Sequence, residues 1–198
     1  MKRIFRRAVV AASSLGMVGG IALTALPASA APVPVQSWGA AATGPIHIFP
    51  VAYANSFHTP GVASNANYTN FLTTGMIVDR ASFTTGYSLV NSPLVQINFL
   101  QLRIQASQIT SWCHRFHSFA IGGASIFSGS VQQNGSTLAN PLTNPAPNTT
   151  VYFYGGYVTF NKHTYVGGVL TVTAIYVHVG PENLYLGVSS CAVHRDVS

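Results

Sequence analysis

The densest cluster of potentially reactive side chains is the segment Cys113-His114-Arg115-Phe116-His117. Thiolate and imidazole groups are the ligands that Zn²⁺ prefers, so Cys113, His114 and His117 are candidates for a metal site. The spacing alone is a weak metal signal, and Cys113 has a competing partner in the second cysteine, Cys191. We therefore expect two loop histidines here rather than a metal centre, and we predict no cofactor.

Carboxylates are scarce, which disfavours acid–base hydrolysis. Glycoside hydrolysis needs two carboxyl groups that flank one bond. Beyond residue 30 the chain has three acidic residues, Asp79, Glu182 and Asp196, and we expect structural or solvated roles for each. A Ser-His-Asp site is not excluded by counting, but no G-x-S-x-G motif occurs. We predict no catalytic residue and keep a secreted hydrolase as an alternative.

An aromatic run, residues 152–160, is the best candidate for a binding surface. Neighbouring residues of a strand face opposite sides, so Tyr152 and Tyr154 would share one face. Together with Tyr157 they could stack on sugar rings or bind a partner. The alternative interpretation is that one set of rings enters the core while the other forms cross-strand pairs, and we favour that one.

The N-terminus has the organisation of a secretory signal peptide. A basic segment, Met1 to Arg7, precedes an apolar stretch that runs to Leu26, and the small residues Ala28 and Ala30 follow. This order predicts a helical signal peptide over residues 1–30, with cleavage after Ala30. An uncleaved membrane anchor is the alternative. No other segment is apolar enough, for long enough, to form a transmembrane helix.

Composition excludes a nucleic-acid groove and indicates a disulfide. Removing residues 1–30 removes four of the nine basic side chains, and the remaining five are scattered. A nucleic-acid site needs clustered bases. In an exported chain an even pair of cysteines indicates a disulfide, here between Cys113 and Cys191. A loop of this length contributes about 4–5 kcal/mol in the chain-entropy model, which is an upper value. A metal or catalytic role for the pair is the alternative.

The elements that would position these side chains are strands. Apolar residues recur with a period of two rather than 3.6. The predicted strands are 94–99, 102–106, 125–131, 151–154, 157–162, 169–179 and 184–188. The predicted turns are Gly122-Gly123, Asn134-Gly135, Gly155-Gly156, Gly167-Gly168 and Gly180-Pro181, with loops at Asn140-Pro141 and 144–148. We predict an antiparallel all-β sandwich, with a barrel as the alternative.

Several segments occur in an order typical of one family. They are Ser37-Trp38-Gly39 to Gly44-Pro45-Ile46, Ile109 to Cys113, Asn144 to Thr150, Val158 to Lys162, Leu170 to Val177 and Leu186 to Cys191. With these segments the chain resembles the choice-of-anchor P family, secreted or surface proteins of high-GC Gram-positive bacteria. The resemblance implies that Cys113 pairs with Cys191, and it implies no enzymatic activity.

Members of that family often carry a C-terminal sorting signal, and this chain departs from the pattern. No L-P-x-T-G motif and no apolar tail follow Cys191, so we expect release or non-covalent retention. We predict a signal peptide (1–30), an extended lead-in (31–36) and one all-β domain (37–198). The expected function is a non-enzymatic secreted or envelope-associated module. Its partner would be a cell-wall polymer or an envelope protein, not nucleic acid. The alternatives are a carbohydrate-binding module, a hydrolase and an envelope β-barrel.

Overall fold

Strands form nearly all of the regular structure, because the chain is rich in Val, Ile, Thr, Tyr and Phe, which fit a pleated and half-buried surface. The computed structural model describes residues 34–59, 61–68 and 71–193, with only the backbone at 141 and 142. The predicted signal peptide and its cleavage residues, Ala28 and Ala30, lie outside the described residues. Within the described part, no helix combines the length and the apolar character needed to cross a bilayer.

Almost every element is a strand, so nearly every connection joins one strand to the next along the chain. The strands are β1 (Gln36–Thr43), β2 (Ile48–Val51), β3 (Ala54–Asn55), β4 (Gly61–Ser64), β5 (Asn67–Tyr68), β6 (Leu72–Thr73), β7 (Ile77–Ala81), β8 (Thr85–Asn91), β9 (Leu94–Ile97), β10 (Leu102–Gln105), β11 (Gln108–Arg115), β12 (Ala120–Phe127), β13 (Gly129–Gln133), β14 (Ser136–Leu142), β15 (Thr149–Phe153), β16 (Gly156–Val166), β17 (Val169–Val179) and β18 (Glu182–Ala192). One 3-10 turn, Asn98–Leu100, follows β9.

These strands form three antiparallel sheets. Sheet A has the order β15-β16-β17-β18-β1-β2, with β3 also paired to β1. Sheet B has the order β12-β11-β8-β7-β4, and sheet C the order β14-β13-β10-β9-β6-β5. Among the described residues, each sheet has an edge strand on either side, so no sheet closes into a barrel. The predicted all-β antiparallel sandwich is confirmed, and the barrel alternative is not.

Sheets A and B pack face to face, and glycines let their backbones approach. A Cβ at Gly122 would lie 2.6 Å from both the Trp112 carbonyl oxygen and Val172 Cγ2. A Cβ at Gly39 would lie 2.2 Å from Ile77 Cγ2. Val172 belongs to sheet A and Gly122 to sheet B, so side chains at these points would push the layers apart.

The interface between sheets A and B has a polar layer as well as an apolar core. Ser111 and Ser189 are fully buried and face each other across it, with their Oγ atoms 2.8 Å apart. The Ser37 hydroxyl donates to the Arg80 carbonyl, and the Ser88 hydroxyl donates to the Trp38 carbonyl. These hydrogen bonds satisfy hydroxyls that would otherwise be costly to bury. They also fix the alignment of sheet A relative to sheet B.

The disulfide lies on the same interface. Cys113 of β11 is bonded to Cys191 of β18, and both residues are fully buried. The bond therefore joins sheet B to sheet A directly, two residues along each strand from the Ser111–Ser189 pair. The predicted disulfide is confirmed.

Sheet C is fixed against one end of sheet A by the side chain of Gln133. Its amide nitrogen donates to the Tyr154 carbonyl at 3.0 Å, and its oxygen accepts from the Tyr154 backbone amide at 2.9 Å. Apolar side chains of all three sheets belong to one continuous core. Gln133 thus pins the β15–β16 turn to the β13 strand.

Most of the strand predictions are confirmed, with shifted ends. The strand over 169–179 matches β17, whereas the strand predicted at 94–99 stops at Ile97, where the 3-10 turn begins. The predicted strand over 125–131 is wrong, because Ser128 takes a positive φ and separates β12 from β13. The strand β1 begins at Gln36, the last residue of the predicted lead-in.

The turn predictions hold at three sites and need correction at three others. Asn134-Gly135, Gly167-Gly168 and Gly180-Pro181 form two-residue hairpin turns. The turn predicted at Gly155-Gly156 comprises Tyr154 and Gly155 instead, because Phe153 pairs with Gly156. The Gly122-Gly123 pair lies inside β12, where packing space rather than turn geometry requires glycine at position 122. Asn140-Pro141, predicted as loop, continues the edge strand β14, where a missing N–H is tolerated.

Candidate functional site

The candidate metal residues do not form a metal site. Cys113 forms the disulfide with Cys191, so it has no free thiolate that could bind a metal ion. His114 Nδ1 lies 2.9 Å from Thr85 Oγ1, and its ring contacts Phe116 edge to face. Among the residues that the structure describes, no group of three or more His, Cys, Asp or Glu side chains could hold an ion.

The predicted tyrosine surface lies on the outer face of sheet A. Tyr152 and Tyr157 are paired across β15 and β16, with ring centroids 6.0 Å apart. Tyr154 lies outside the strand, in the hairpin turn, so it does not share the regular face of Tyr152 as expected. Phe153 packs against the core, which confirms that the opposite face of β15 is the buried one.

The tyrosine pair is part of a longer aromatic row that the sequence did not reveal. Tyr157 also contacts Tyr176 and His178 of β17, and Tyr176 contacts Tyr185 of β18. The Tyr176 hydroxyl donates to Asn183 Oδ1. Successive rings are tilted by about 48–55° to one another. The row is thus a set of mutual edge and face contacts rather than one flat platform.

Burial shifts the pKa of two side chains in this row. Lys162 Nζ lies 3.2 Å from the Tyr176 ring centroid, a cation–π contact, and desolvation lowers the pKa of Lys162. Burial, with the Tyr157 hydroxyl nearby, raises the pKa of Tyr176 well above its usual range. Tyr176 is therefore uncharged at physiological pH. Its hydroxyl group already has a hydrogen-bond acceptor within the protein, Asn183 Oδ1.

A second surface, absent from the sequence predictions, lies on the outer face of sheet B. It is a cleft of about 850 Å³. The apolar side chains of Val78 and Leu89 are half-buried in its floor, with the ring of Tyr87 beside them. The remaining lining residues are Met76, Arg80, Ala81, Ser82, Thr85, Asn91 and Gln108.

Strand register explains how these residues meet. In β8 alternate residues are buried, so Thr85, Tyr87, Leu89 and Asn91 all face outward. Tyr87 pairs with Arg80 on one side and with Trp112 on the other. Neighbouring strands lie about 4.8 Å apart, so the three side chains form a row about 10 Å long across the sheet.

The polar groups of the cleft are held in place. Gln108 Nε2 donates to Asn91 Oδ1 at 3.0 Å, and Asn91 Nδ2 donates to the Met76 carbonyl at 3.1 Å. The Gln108 oxygen has no hydrogen-bond partner among the described residues, so it can accept one from a ligand. The Tyr87 hydroxyl likewise has no partner in the described part of the chain. A ligand would find a preorganised amide pair in the same cleft as an aromatic ring, four residues further along the strands.

Trp112 of β11 lies next to the cleft, because it pairs directly with the lining residue Tyr87. Its other cross-strand partner is Gly123, whose added Cβ would lie 3.5 Å from the indole ring, an ordinary van der Waals distance. The Trp112 side chain is 37% exposed. It therefore extends the aromatic surface that begins at Tyr87.

The two described carboxylates are far from forming a catalytic pair. Asp79 is fully buried between sheets A and B, and neither of its oxygens has a hydrogen bond of standard geometry. Burial raises its pKa to about 8, and the Ser88 hydroxyl and Gly39 amide offset only part of this shift. Glu182 is the first residue of β18 and accepts a hydrogen bond from the Ile46 amide at 2.8 Å. Asp79 thus belongs to the interface between sheets A and B, whereas Glu182 binds the loop that contains Ile46.

A third depression, of about 800 Å³, lies between the 3-10 turn and the near ends of sheet A. Its lining is mostly apolar, with Ile97, Leu100 and Val179 among the contributing side chains. Gly155 fits against Leu100, where an added Cβ would lie 3.2 Å from the leucine methyl groups. Glu182 also lines this cavity, but Oε1 of its carboxylate is engaged by the loop that contains Ile46.

The sequence contained one overlooked signal for the sheet B cleft. Residues 85–91 alternate between residues that now face outward and the small or apolar Gly86, Ser88 and Val90. A period-two pattern of this kind predicts a half-buried strand. The juxtaposition of Arg80, Tyr87 and Gln108 carries no such local signal, because they come from three strands.

Fold and site together define a class: an antiparallel all-β protein of three open sheets, with one inter-sheet disulfide and an open cleft on a sheet face. No family model matches the chain, and no curated protein or solved structure matches it significantly. The function must therefore be argued from the site itself.

Proposed function

We propose that this protein is an exported, non-enzymatic module that binds carbohydrate in the cleft of sheet B. The observation that carries the proposal is the combination of Tyr87 with the fixed amide pair Asn91 and Gln108. Sugar rings present an apolar C–H face and a rim of hydroxyls. An aromatic ring suits the face, and amide groups suit the hydroxyls.

The position of the cleft supports a chain-like ligand. It lies on the outer face of a sheet rather than in an enclosed cavity. Tyr87 and Trp112 are neighbours across one pair of strands, and both rings lie on this face. Two adjacent rings of this kind fit two adjacent units of a polysaccharide.

Export and the absence of catalysis are supported by different observations. Residues 1–30 have the organisation of a signal peptide, and the disulfide is typical of an oxidising compartment. The lining of the cleft contains no carboxylate, so it offers no acid–base pair for glycoside hydrolysis. Membership of the choice-of-anchor P family is proposed too, supported by the cysteine pairing that the resemblance implies.

The tyrosine row of sheet A is the second candidate surface. Tyr152 is 77% exposed and Tyr154 is 82% exposed, so both are accessible. Against this surface, Tyr157 already contacts Tyr152, Tyr176 and His178, which leaves less free ring area for a ligand. We therefore propose that sugar binds in the cleft of sheet B. The tyrosine row of sheet A serves as the control surface in the binding experiment.

Binding of the protein collected from the culture medium to insoluble and soluble polysaccharides tests the proposal. We expect wild-type protein to bind, and Tyr87→Ala to weaken binding by about tenfold or more, since stacking on one ring contributes an energy of about 1–2 kcal/mol. Gln108→Ala should weaken binding less. The measurement is isothermal titration with soluble oligosaccharides, after a polysaccharide pull-down has identified the polymer.

Tyr152→Ala is the matched control, because it removes an exposed strand tyrosine from the other sheet. It should bind as wild type does. If Tyr152→Ala loses binding while Tyr87→Ala keeps it, the site is the sheet A row. Hydrolysis of the polymer by the wild-type protein would contradict the non-enzymatic proposal.

A further inference from the structure

We infer that the carbohydrate bound in the cleft of sheet B is acidic, and that Arg80 binds a carboxylate carried on its sugar rings. This inference rests on the proposed function and specifies the ligand class of the same site. It follows from the position of Arg80, from its lack of partners and from the distribution of acids in the molecule.

Arg80 is an exposed cation at the wall of the cleft. It pairs with Tyr87 across β7 and β8, so its side chain leaves the sheet about 5 Å from that of the tyrosine. Its guanidinium group has no ion pair and no hydrogen bond with any described residue. Five N–H donors are therefore available to a ligand in a planar arrangement that suits a carboxylate.

Among the residues that the structure describes, no acidic side chain lies on this face to neutralise that charge. The described part of the chain has two acidic residues, Asp79 and Glu182, and neither lies on the outer face of sheet B. Asp79 precedes Arg80 directly but faces the opposite side of the strand, in the buried interface. Because burial raises its pKa to about 8, Asp79 is mostly protonated at neutral pH and does not compensate Arg80.

The spacing favours a carboxylate on the sugar ring over a more distant anionic group. A ring that stacks on Tyr87 has its own substituents within a few ångströms of Arg80, because the two residues are direct cross-strand neighbours. Asn91 and Gln108 lie four residues further along their strands, about 13 Å away at about 3.3 Å per residue, where they can meet the hydroxyls of another ring of the same polymer. A uronic acid polymer presents ring faces, hydroxyls and carboxylates along its whole length.

The test compares polygalacturonate with the same polymer after methyl esterification, which keeps the sugar rings and removes the charge. We expect wild-type protein to bind polygalacturonate about tenfold more tightly than the ester. Arg80→Gln should lose that preference, while its weaker binding to the ester stays unchanged. Arg80→Lys should retain part of the preference, since it keeps the charge without the planar donor pair.

Arg103→Gln is the matched control, because Arg103 is an exposed strand arginine on sheet C with the same effect on net charge. It should behave as wild type does. Equal binding of both polymers by wild type and by Arg80→Gln would overturn the inference and leave the proposed function intact. Stronger binding of a phosphate-linked wall polymer than of polygalacturonate would also overturn it. If wild type binds no polysaccharide at all, the proposed function fails, and the inference with it.

Discussion

Asp79 and Arg80 are adjacent in sequence and have opposite environments. Alternation along β7 turns Asp79 into the interface between sheets A and B and Arg80 outward into the cleft. Burial removes the hydration of the Asp79 carboxyl group and raises its pKa, while the Arg80 side chain is exposed to solvent. A sequence pair that suggests a local ion pair is thus separated by the strand itself.

The buried carboxyl group of Asp79 makes the free energy of unfolding depend on pH. The pKa of Asp79 is about 8 in the folded protein and about 4 in the unfolded chain, so between these values only the folded state holds the proton. The free energy of unfolding should therefore fall as pH rises through this window, by at most about 1.4 kcal/mol per pH unit. Asp79→Asn removes this term, so its stability relative to wild type should rise from about pH 5 to about pH 8, as measured by urea unfolding.

Ser37→Ala is the control for that experiment. Ser37 belongs to the same buried polar layer but does not titrate, so its substitution should shift stability by a similar amount at every pH. Desolvation lowers the pKa of His163, which adds a term of opposite sign, but that term is common to all the variants and cancels in the comparison. A constant difference between Asp79→Asn and wild type across the range would contradict the assignment.

At the scale of elements, the packing of β12 on sheet A depends on one glycine. Gly122 faces Val172, and a Cβ there would lie 2.6 Å from that side chain and from the Trp112 carbonyl oxygen. Because the carbonyl is backbone, it cannot move aside without disturbing the β11–β12 pairing. Gly122 is thus required by packing, although the Gly122-Gly123 pair has a composition typical of a turn.

We expect Gly122→Ala to destabilise the protein by about 1–3 kcal/mol, the usual cost of overpacking a tight interface. Gly61→Ala is the comparison, because Gly61 is a glycine in β4 of the same sheet whose nearest neighbour to an added Cβ is 3.9 Å away. It should change stability by less than about 0.5 kcal/mol. Thermal or urea unfolding of the two variants checks this, and equal effects would mean that the approach of the sheets is not the cause.

At the scale of the whole molecule, the disulfide joins sheets A and B. It closes a loop over 78 positions that contains β12 to β17 and links β11 to β18. Closing so long a loop restricts the unfolded chain strongly. The Ser111–Ser189 contact beside it suggests that the folded interface needs little adjustment to accommodate the bond.

Replacing both cysteines, Cys113→Ala with Cys191→Ala, should lower the free energy of unfolding by about 2–5 kcal/mol. Reducing agent should destabilise wild type by a comparable amount and leave the double variant unchanged. Urea unfolding with and without reductant gives both values. Free thiols in the folded wild-type protein, detected by mass spectrometry after alkylation, would contradict the bond.

The class of fold was predictable because its determinants are local. Period-two alternation, β-branched residues and paired turn residues recur along the chain, and β17 was predicted over its full length. The pairing of Cys113 with Cys191 was predictable because an even pair left one intramolecular choice. The strands β7 and β8 were missed because some of their buried positions are not apolar, namely Asp79 in β7 and Gly86 and Ser88 in β8.

The sequence by itself determined the all-β class, the cysteine pair and the organisation of the N-terminus, because each depends on residue type and near spacing. Only the tertiary structure decided which residues share a surface. Arg80, Tyr87 and Gln108 come from three strands, and their register brings them into one cleft. Strand order is set by long-range pairing whose energy is spread over many weak contacts, so no local pattern specifies it. For the same reason the sequence indicated Tyr152, Tyr154 and Tyr157 as candidate surface residues, but not the pairing of Tyr152 with Tyr157 or the continuation of that row to Tyr176 and Tyr185.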